Sequence, residues 1–555
     1  MATEMDKLAE AYYEKVRRTE TWSGIPLKPI YTPQDTAGID YEREIADAGQ
    51  YPFTRGIHAD MYRGKLWTRR QGWGYGLGED TNKQLRLLMQ QGNTGFSIYR
   101  DLPSANGIDS DHPLAEGEVG VAGVALCSMQ DMEAIMEGLP LDQVTTSLLC
   151  GSVVAPIMLA QYIAVADKTG IPRTKLRGQV SSDTLMGHFC YSKDTNPLDL
   201  CVKAAVDVIE FCTKEMPQWN ATDISACYNL REAAALTAPQ EIAIGFGHAL
   251  AYMRGAMARG LSIDDIAPRA NFYCNVGIDF FEEIAKFRAM RRLWAKLMRE
   301  KFGAKDPRSW RFRMAVQTSG ASLTKQQPLN NIVRAAFETL ASVLGGAQSI
   351  YCTPYEETVC LPTELGHEVA LRTQQIIAYE TGVAAVADPL GGSYYVETLT
   401  NQIEEEAAKL LEQVEAMGGI VEAIRVGWVD RLFDQQLARY QKEVESGQRT
   451  VVGLNAFARP PREGDFPGGI LRIPPQVETE QIARVKRLKA ARDSSRVREA
   501  ITNLRRTAEK GREVNLMPAV IDAVKVYATI EEIQGTIREA FGYTWDPMGM
   551  RKSPF

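Results

Sequence analysis

The chain has 555 residues, of which 45% are hydrophobic and 24% charged, with a formal net charge of -7. These values exclude a disordered or fibrous chain, leave room for one large core with an accessory region, and argue against a general nucleic-acid binder. No apolar run approaches the ~20 residues of a membrane span, and the opening MATEMDKLAEAYYEKVRR has no signal-peptide core, so a cytoplasmic protein is expected.

Residues 1 to about 45 begin with a helical pattern and turn irregular around Pro26, Pro29 and Pro33, which reads as an arm laid over another surface. The stretch 51–76, YPFTRGIHADMYRGKLWTRRQGWGYG, interleaves five cations with six aromatic rings and several glycines. Guanidinium forks grip phosphate oxygens and aromatic faces stack on heterocycles, so the pattern suits a phosphate-rich ligand as well as an ordinary cationic loop. The nine cysteines occur singly with no CxxC pair, and the five histidines show no HxxxH or HExxH spacing. Neither a disulfide framework nor a protein-ligated catalytic metal is expected.

From about 90 to 395, β-like runs alternate with amphipathic helices. The runs begin at Gly95, Val144, Leu176, Asp223, Ala270, Arg313 and Ala347, and the helices between them cover 200–216, 280–301 and 329–344. Repeated β-then-α over ~300 residues predicts an α/β fold, a (β/α)8 TIM barrel, because no GxGxxG or Walker sequence marks the crevice of an open sheet. Many strand positions carry polar residues where a packed barrel would carry Val, Ile or Leu: Ser97, Thr145, Ser147, Gln179, Ser181, Ser225, Asn271, Gln317 and Ser319. Facing inward, they make the axis a polar channel; at strand ends they would only bond neighbouring backbone. Beyond Tyr394 the β signals stop, and helical segments at 400–417, 419–446 and 477–542 flank a Pro/Gly-rich connector at 449–476. The expected organisation is an arm at 1–45 for a partner contact, a barrel at 46–398 and a helical C-terminal region at 399–555.

Ordered motifs carry a resemblance that composition cannot. YPFTRG, MYRG and WTRRQ, GIDSDHP with GVAG, IAPR with FFEEIAKFRAMRRLWAKL, QTSGASLT with NNIVRAAFE, and LPTE with ADPLGGSYYVE together span about 50 to 400. In this order they resemble the large subunit of the coenzyme B12-dependent acyl-CoA mutases, the family of methylmalonyl-CoA, isobutyryl-CoA, ethylmalonyl-CoA and 2-hydroxyisobutyryl-CoA mutases. The resemblance implies a TIM barrel with the pantetheine arm of CoA along its axis and adenosylcobalamin at one end. It also implies radical 1,2-migration of the thioester carbonyl group, chemistry that belongs to the cofactor. No DxHxxG motif occurs in the sequence. The resemblance therefore implies a separate cobalamin-binding small subunit carrying that motif, and a homodimer of large subunits within a heterotetramer.

Carried over by position, Arg70 and Gln71 match an Arg-Gln beside the reacting centre, while Arg55 and Tyr62 match residues at the CoA entrance. Arg269, Asn271 and Gln317 match CoA contacts, and Glu357 matches an acid near the adenosyl ribose. Asp101 and the Ala122–Gly123 pair fall in segments facing the corrin, and Ser181 is counted on the substrate side. The departures bear on the substrate. A family ring is replaced by Gly72, the arginine that reads a methylmalonyl carboxylate aligns with Tyr191, and a family tryptophan is Ala321. The histidine that bonds the thioester oxygen falls on Asn229, or on Tyr228 if a one-residue gap is shifted. Arg100 stands where the family has an aromatic or an acid. It either reads a substrate carboxylate or pairs with Asp101 or another acid. Two lost rings and a gained cation predict an acyl group bulkier than methylmalonyl, with a carboxylate in the first case. The alternatives are an isobutyryl- or 2-hydroxyisobutyryl-type mutase and a CoA-binding paralogue without catalysis.

Overall fold

The structure, a computed structural model, describes residues 18–555, and the helical pattern at the very start of the chain lies outside them. Nine strands are described: β1 Thr68–Gln71, β2 Gly95–Tyr99, β3 Thr146–Leu149, β4 Gly178–Val180, β5 Trp219–Asn220, β6 Thr222–Ile224, β7 Ala270–Val276, β8 Met314–Thr318 and β9 Ser349–Tyr351. All pair in parallel, in the order β5-β4-β3-β2-β1-β9-β8-β7-β6. The two ends of that order, β5 and β6, are halves of one run split at Ala221, so the sheet closes into an eight-position (β/α)8 barrel. Ser182 bridges the split. Its hydroxyl donates to the Ala221 carbonyl at 2.9 Å and accepts the Asp223 amide at 3.1 Å, replacing ladder bonds that the split leaves out.

The strand pleat divides the sequence between two environments. Phe96, Ile98, Leu148, Val180, Ile224, Phe272 and Ile350 share the outward parity and join the buried core beneath the helices. The inward parity carries Arg70, Ser97, Ser147, Gln179, Asp223, Asn271 and Gln317. This is the polar channel that the sequence suggested. Two differences from the expected elements have local causes. The run from Asp223 is a strand only to Ile224, because a helix starts at Ala226 with its first amide held by the Asp183 carboxylate at 2.7 Å. The strand Thr-Arg-Arg-Gln at β1 has no apolar residue to mark it. The barrel makes it a strand by pairing it on both sides and burying Arg70 and Gln71.

The covering helices include α1 Gly78–Gln90, α2 Ala155–Lys168, α3 Leu198–Glu215, α4 Ala226–Ala234, α5 Ala238–Ala258, α6 Phe280–Lys296, α7 Asn330–Leu344, α8 Glu364–Tyr379 and α9 Tyr394–Ala416. Helix α9 packs on α5 and α6, and the later helix Met517–Lys525 packs on α2. The described part of the arm lies on the chain's own surface. Trp22 donates its amide to Asp279 at 2.9 Å, and the Arg449 guanidinium from the connector sits 4.0 Å above its ring.

A buried ion cluster joins this outer layer. The Arg288 guanidinium, on α6 and fully buried, donates to Asp388 at 2.6 Å and to Glu397 of α9. Removing one partner of a buried pair leaves an uncompensated charge, which costs about 3–5 kcal/mol. Arg288→Met is therefore expected to lower stability by about that amount, read as a reduced thermal midpoint; an unchanged midpoint would show that the cluster contributes nothing.

Candidate active site

At the N-terminal ends of the strands the barrel opens into a cavity of about 830 Å³. Its wall carries Lys65, Arg177, Arg269, Arg308, Arg311 and Arg313, with Tyr62 and His58 beside them. Arg308 is paired with Asp306 at 2.6 Å, whereas Arg269, Arg311 and Arg313 have no carboxylate within 4.0 Å among the described residues. Burial and the neighbouring Arg269 push the Arg313 guanidinium down to about 10, and burial and Arg308 lower Arg269. Crowded, partly desolvated cations that depress one another require an anion. Of this set the sequence singled out Arg269, and Lys65 as one of the cations of the stretch 51–76. Arg177 precedes β4, while Arg308, Arg311 and Arg313 fall within six residues before β8, and barrel closure brings the two groups and Arg269 to one opening.

From this mouth a polar bore runs along the axis. Arg70 lies in its lower half, its guanidinium donating to the Phe96 carbonyl at 2.8 Å, Ser349 Oγ at 3.1 Å and Thr145 Oγ1 at 3.1 Å. Burial, without a directly bonded acid, pushes it down to about 10. Asn271 Nδ2 donates to Gln179 Oε1 at 3.0 Å and to Asp223 Oδ1 at 2.7 Å, and Ser181 Oγ donates to Asp223 Oδ2 at 3.2 Å. Burial raises the Asp223 carboxyl to about 7 despite these donors. The Tyr273 hydroxyl donates to Gln317 Oε1. Ser97 Oγ, Ser147 Oγ, Ser225 Oγ, Gln179 Nε2 and Gln317 Nε2 are buried without a protein partner.

The C-terminal end of the bore is aromatic and acidic. Tyr228 meets Tyr273 edge-on, with centroids 5.2 Å apart, and its phenol is held well above the ordinary range by burial and by Glu232 and Glu357. Asn229, the other candidate for the family histidine's place, donates its amide to the Ser225 carbonyl at 3.1 Å, one turn back in its own helix. Tyr191 donates to the Cys150 carbonyl at 2.9 Å, and so accepts from the Tyr99 hydroxyl at 2.6 Å. Trp73 stacks on Tyr99 at 4.9 Å and 19° and donates to the Ala122 carbonyl at 3.3 Å. Glu357 Oε2 and the Tyr351 hydroxyl are buried without protein partners, and burial followed by Glu232 raises Glu357 to about 8.

Several expected positions lie elsewhere. Gln71 has the outward parity, and its amide donates to the Cys352 carbonyl at 3.1 Å. Arg55 is bound to Asp388 at 3.1 Å and to the Tyr41 hydroxyl, away from the mouth, while Tyr62 stays on its wall. Arg100 also has the outward parity. It is fully buried and donates to the Ser104 and Val154 carbonyls and to Cys150 Sγ at 2.6 Å, so it neither faces the bore nor pairs with an acid. Gly72 leaves no hole in the bore. At φ +113° an added Cβ would point 3.0 Å from Leu85 Cδ2, and the ring of Trp73 occupies the aromatic end instead. Ala321 sits on a second cavity, of about 500 Å³, at the barrel rim. Asp101 caps a short helix through the Ser104 amide at 3.1 Å and accepts the Gly120 amide at 2.9 Å. Gly123 has no room for a side chain, since a Cβ would lie 2.3 Å from the Arg100 carbonyl oxygen. One group of potential metal ligands, Asp109, Asp111 and Glu531, is already met by Lys489 and Arg551.

A cationic cavity that reaches in to Arg70, Gln179 and Asn271, with polar side chains continuing along the axis to an aromatic end, is the arrangement of a barrel enzyme that takes a polyanionic ligand. Comparison with known proteins gives this class its family. The methylmalonyl-CoA mutase family model matches residues 20–543. The methylmalonyl-CoA mutase of Rhizobium meliloti (strain 1021) is 40% identical over 529 residues, covering 95% of this chain and 73% of that one. The 2-hydroxyisobutanoyl-CoA mutase large subunit of Aquincola tertiaricarbonis is 39% identical over 545 residues, covering 98% and 95%. The human mitochondrial methylmalonyl-CoA mutase is 36% identical over 523 residues, covering 94% and 68%. The chain belongs to the methylmalonyl-CoA mutase family and is an isomerase of the acyl-CoA mutase type.

Asp223 makes the bore sensitive to pH. In the folded chain it keeps its proton to about pH 7, whereas an exposed aspartate loses it near 3.8. Between these values the folded state holds a proton that the unfolded state has released, so stability falls as pH rises through that window and levels off above it. Asp223→Asn removes this dependence. The variant's thermal midpoint relative to the parent should climb from pH 4 to 7, by up to on the order of 4 kcal/mol equivalent. A difference that stays flat across this range would show that Asp223 is ionised in the folded chain.

Proposed function

We propose that the chain is the substrate-binding large subunit of an adenosylcobalamin-dependent acyl-CoA mutase. In this reading it rearranges the carbon skeleton of an acyl-CoA by radical 1,2-migration of the thioester carbonyl group. The observation that carries it is the line of buried, unpartnered polar groups joining the cationic mouth to the aromatic end. An unpaired buried donor or acceptor costs about 1–3 kcal/mol, and a pantetheine arm has amides and hydroxyls to satisfy several of them. The nucleotide phosphates of CoA go to Arg269, Arg311 and Arg313. The pantetheine passes Asn271, Gln179 and Gln317, and the acyl thioester reaches Tyr228.

At the C-terminal end, Glu357 Oε2 and the Tyr351 hydroxyl offer unpaired atoms that ribose hydroxyls would satisfy, so these residues fit an adenosyl group. Ala122 and Gly123 lie on the loop beside Trp73 and border the same face. When bound, adenosylcobalamin supplies the radical that removes a hydrogen from the acyl group and later returns it. The protein's part is to align the acyl group, exclude water under the Trp73–Tyr99 lid and hold the thioester oxygen. Tyr228 suits the last task because burial and the neighbouring acids keep its phenol protonated, a donor that does not give up its proton.

The cobalamin-carrying partner is proposed to be a separate small subunit, within a heterotetramer built on a dimer of large subunits. Support comes from the chain's coverage of 95% of a relative that is itself named a large subunit. Two measurements test the reading. The chain alone should bind CoA, with Arg313→Ala weakening binding about tenfold, because it removes a charge-assisted contact. Turnover should appear only when a cobalamin-binding small subunit and adenosylcobalamin are added, and Tyr228→Phe should then lower kcat about 100-fold with little change in KM. Failure to bind CoA, or no isomerisation of any acyl-CoA by the complete mixture, would sink the proposal.

A further inference from the structure

The helix that carries Tyr228 is anchored by side chains from outside it. Strand β6 is three residues long, and only Ser225 separates it from α4. Ser225 is the N-cap residue, yet its side chain makes no capping bond and its hydroxyl is buried without a protein partner. The cap comes instead from the residues that follow β4. Ser182 accepts the Asp223 amide at 3.1 Å and Asp183 accepts the Ala226 amide at 2.7 Å, so two adjacent side chains take one amide from each side of Ile224 and Ser225. Asp183 is fully buried, and its other oxygen, Oδ1, accepts from His248 Nδ1 at 2.8 Å and from the Tyr252 hydroxyl at 2.7 Å. Those two residues stand one turn apart on α5, and the Tyr252 oxygen in turn accepts the Leu185 amide at 2.8 Å. A carboxylate at a helix N-terminus also meets the positive end of the helix dipole.

We propose that Asp183, fixed in place by His248 and Tyr252, is a positioning residue for Tyr228: it sets where α4 begins and so where the phenol meets the thioester oxygen. This rests on the acyl-CoA reading above and deepens it. Tyr228 is the third residue of α4, about 3 Å along the axis from the capped amide, so a displaced first turn carries the phenol with it. Its ring meets Tyr273 edge-on, and among the described residues no group bonds to its hydroxyl, so the aim of that hydroxyl depends on the backbone beneath it. A misplacement of about 1 Å at a reacting centre costs about a hundredfold in rate. Asparagine at 183 keeps the size of the side chain but not its function. With its oxygen on the Ala226 amide it turns an NH2 toward His248 and Tyr252, and reversed it turns that NH2 toward the Ala226 amide; neither orientation serves all three donors, as the carboxylate does.

Acetyl-CoA isotopically labelled at the thioester carbonyl reports on this contact by infrared difference spectra of the full chain. Bound to the parent, its carbonyl stretch is expected at lower frequency than in free acetyl-CoA, and Tyr228→Phe should abolish that shift. Asp183→Asn should lose most of it with the affinity for CoA unchanged. In the complete mixture with small subunit and adenosylcobalamin, Asp183→Asn should lower kcat at least about tenfold with KM unchanged, and the double variant with Tyr228→Phe should be no slower than Tyr228→Phe alone, because both act through one contact. A residue that only stabilised the fold would multiply its loss onto that of Tyr228→Phe. If Asp183→Asn does not bind CoA, the milder Tyr252→Phe, which removes one donor and leaves the cap, takes its place and should lose part of the shift. If the variant binds CoA and keeps the full shift, or if the two rate losses multiply, while Tyr228→Phe loses the shift, Asp183 is not a positioning residue and the acyl-CoA reading survives. If the parent shows no shift, or Tyr228→Phe keeps it, the thioester does not lie at Tyr228 and this proposal falls with that placement.

Discussion

The structure depends on keeping polar groups in the centre of a barrel that has no apolar plug. An interior filled with Val, Ile and Leu would stabilise the sheet by burial and block the axis. Here that burial is moved outward. Phe96, Ile98, Leu148, Ile224, Phe272 and Ile350 pack beneath the helices, and the inward positions are tied into side-chain networks such as Gln179–Asn271–Asp223–Ser181. The same alternation that builds the sheet therefore makes the passage. A one-residue slip of any strand would exchange the two faces.

Charge is graded along that passage. The mouth concentrates guanidinium groups that depress one another, the middle holds one buried arginine opposite an aspartate that stays protonated to about pH 7, and the far end holds acids beneath aromatic rings. In a desolvated tube such groups act at full strength on one another and on a ligand. In the proposed reading the cationic mouth holds the polyanionic head of the acyl-CoA, while the carboxyls further in keep their protons near neutral pH and leave the interior without net negative charge.

Much of the fold was readable from the sequence. The run Gly-Phe-Ser-Ile-Tyr is the strand Gly95–Tyr99, and the helix expected at 329–344 is Asn330–Leu344. The unusual polar strand residues signalled the channel because periodicity and polarity are both local properties. What escaped was direction and convergence. Motif position put Gln71 and Arg100 near the chemistry, yet strand parity turns both toward the helix layer. Arg177, Arg311 and Arg313 carry no motif, and their meaning comes from closure of the barrel around one opening. The strand Thr68–Gln71 had no apolar pattern because its inward face is polar and its outward face is filled partly by Gln71.

The pairing of Gly72 with Trp73 has a wider consequence. The glycine lacks a side chain and the next residue supplies a large one, delivered from a backbone that φ +113° has swung round. Bulk at the end of the passage is thus inherited by an adjacent position instead of being lost. In the proposed reading, a substitution at this pair would reshape the aromatic end from a different angle while leaving the arginine-lined entrance and the strands beneath untouched. On that reading, recognition of the CoA carrier and choice of the acyl group are set by separate ends of the barrel.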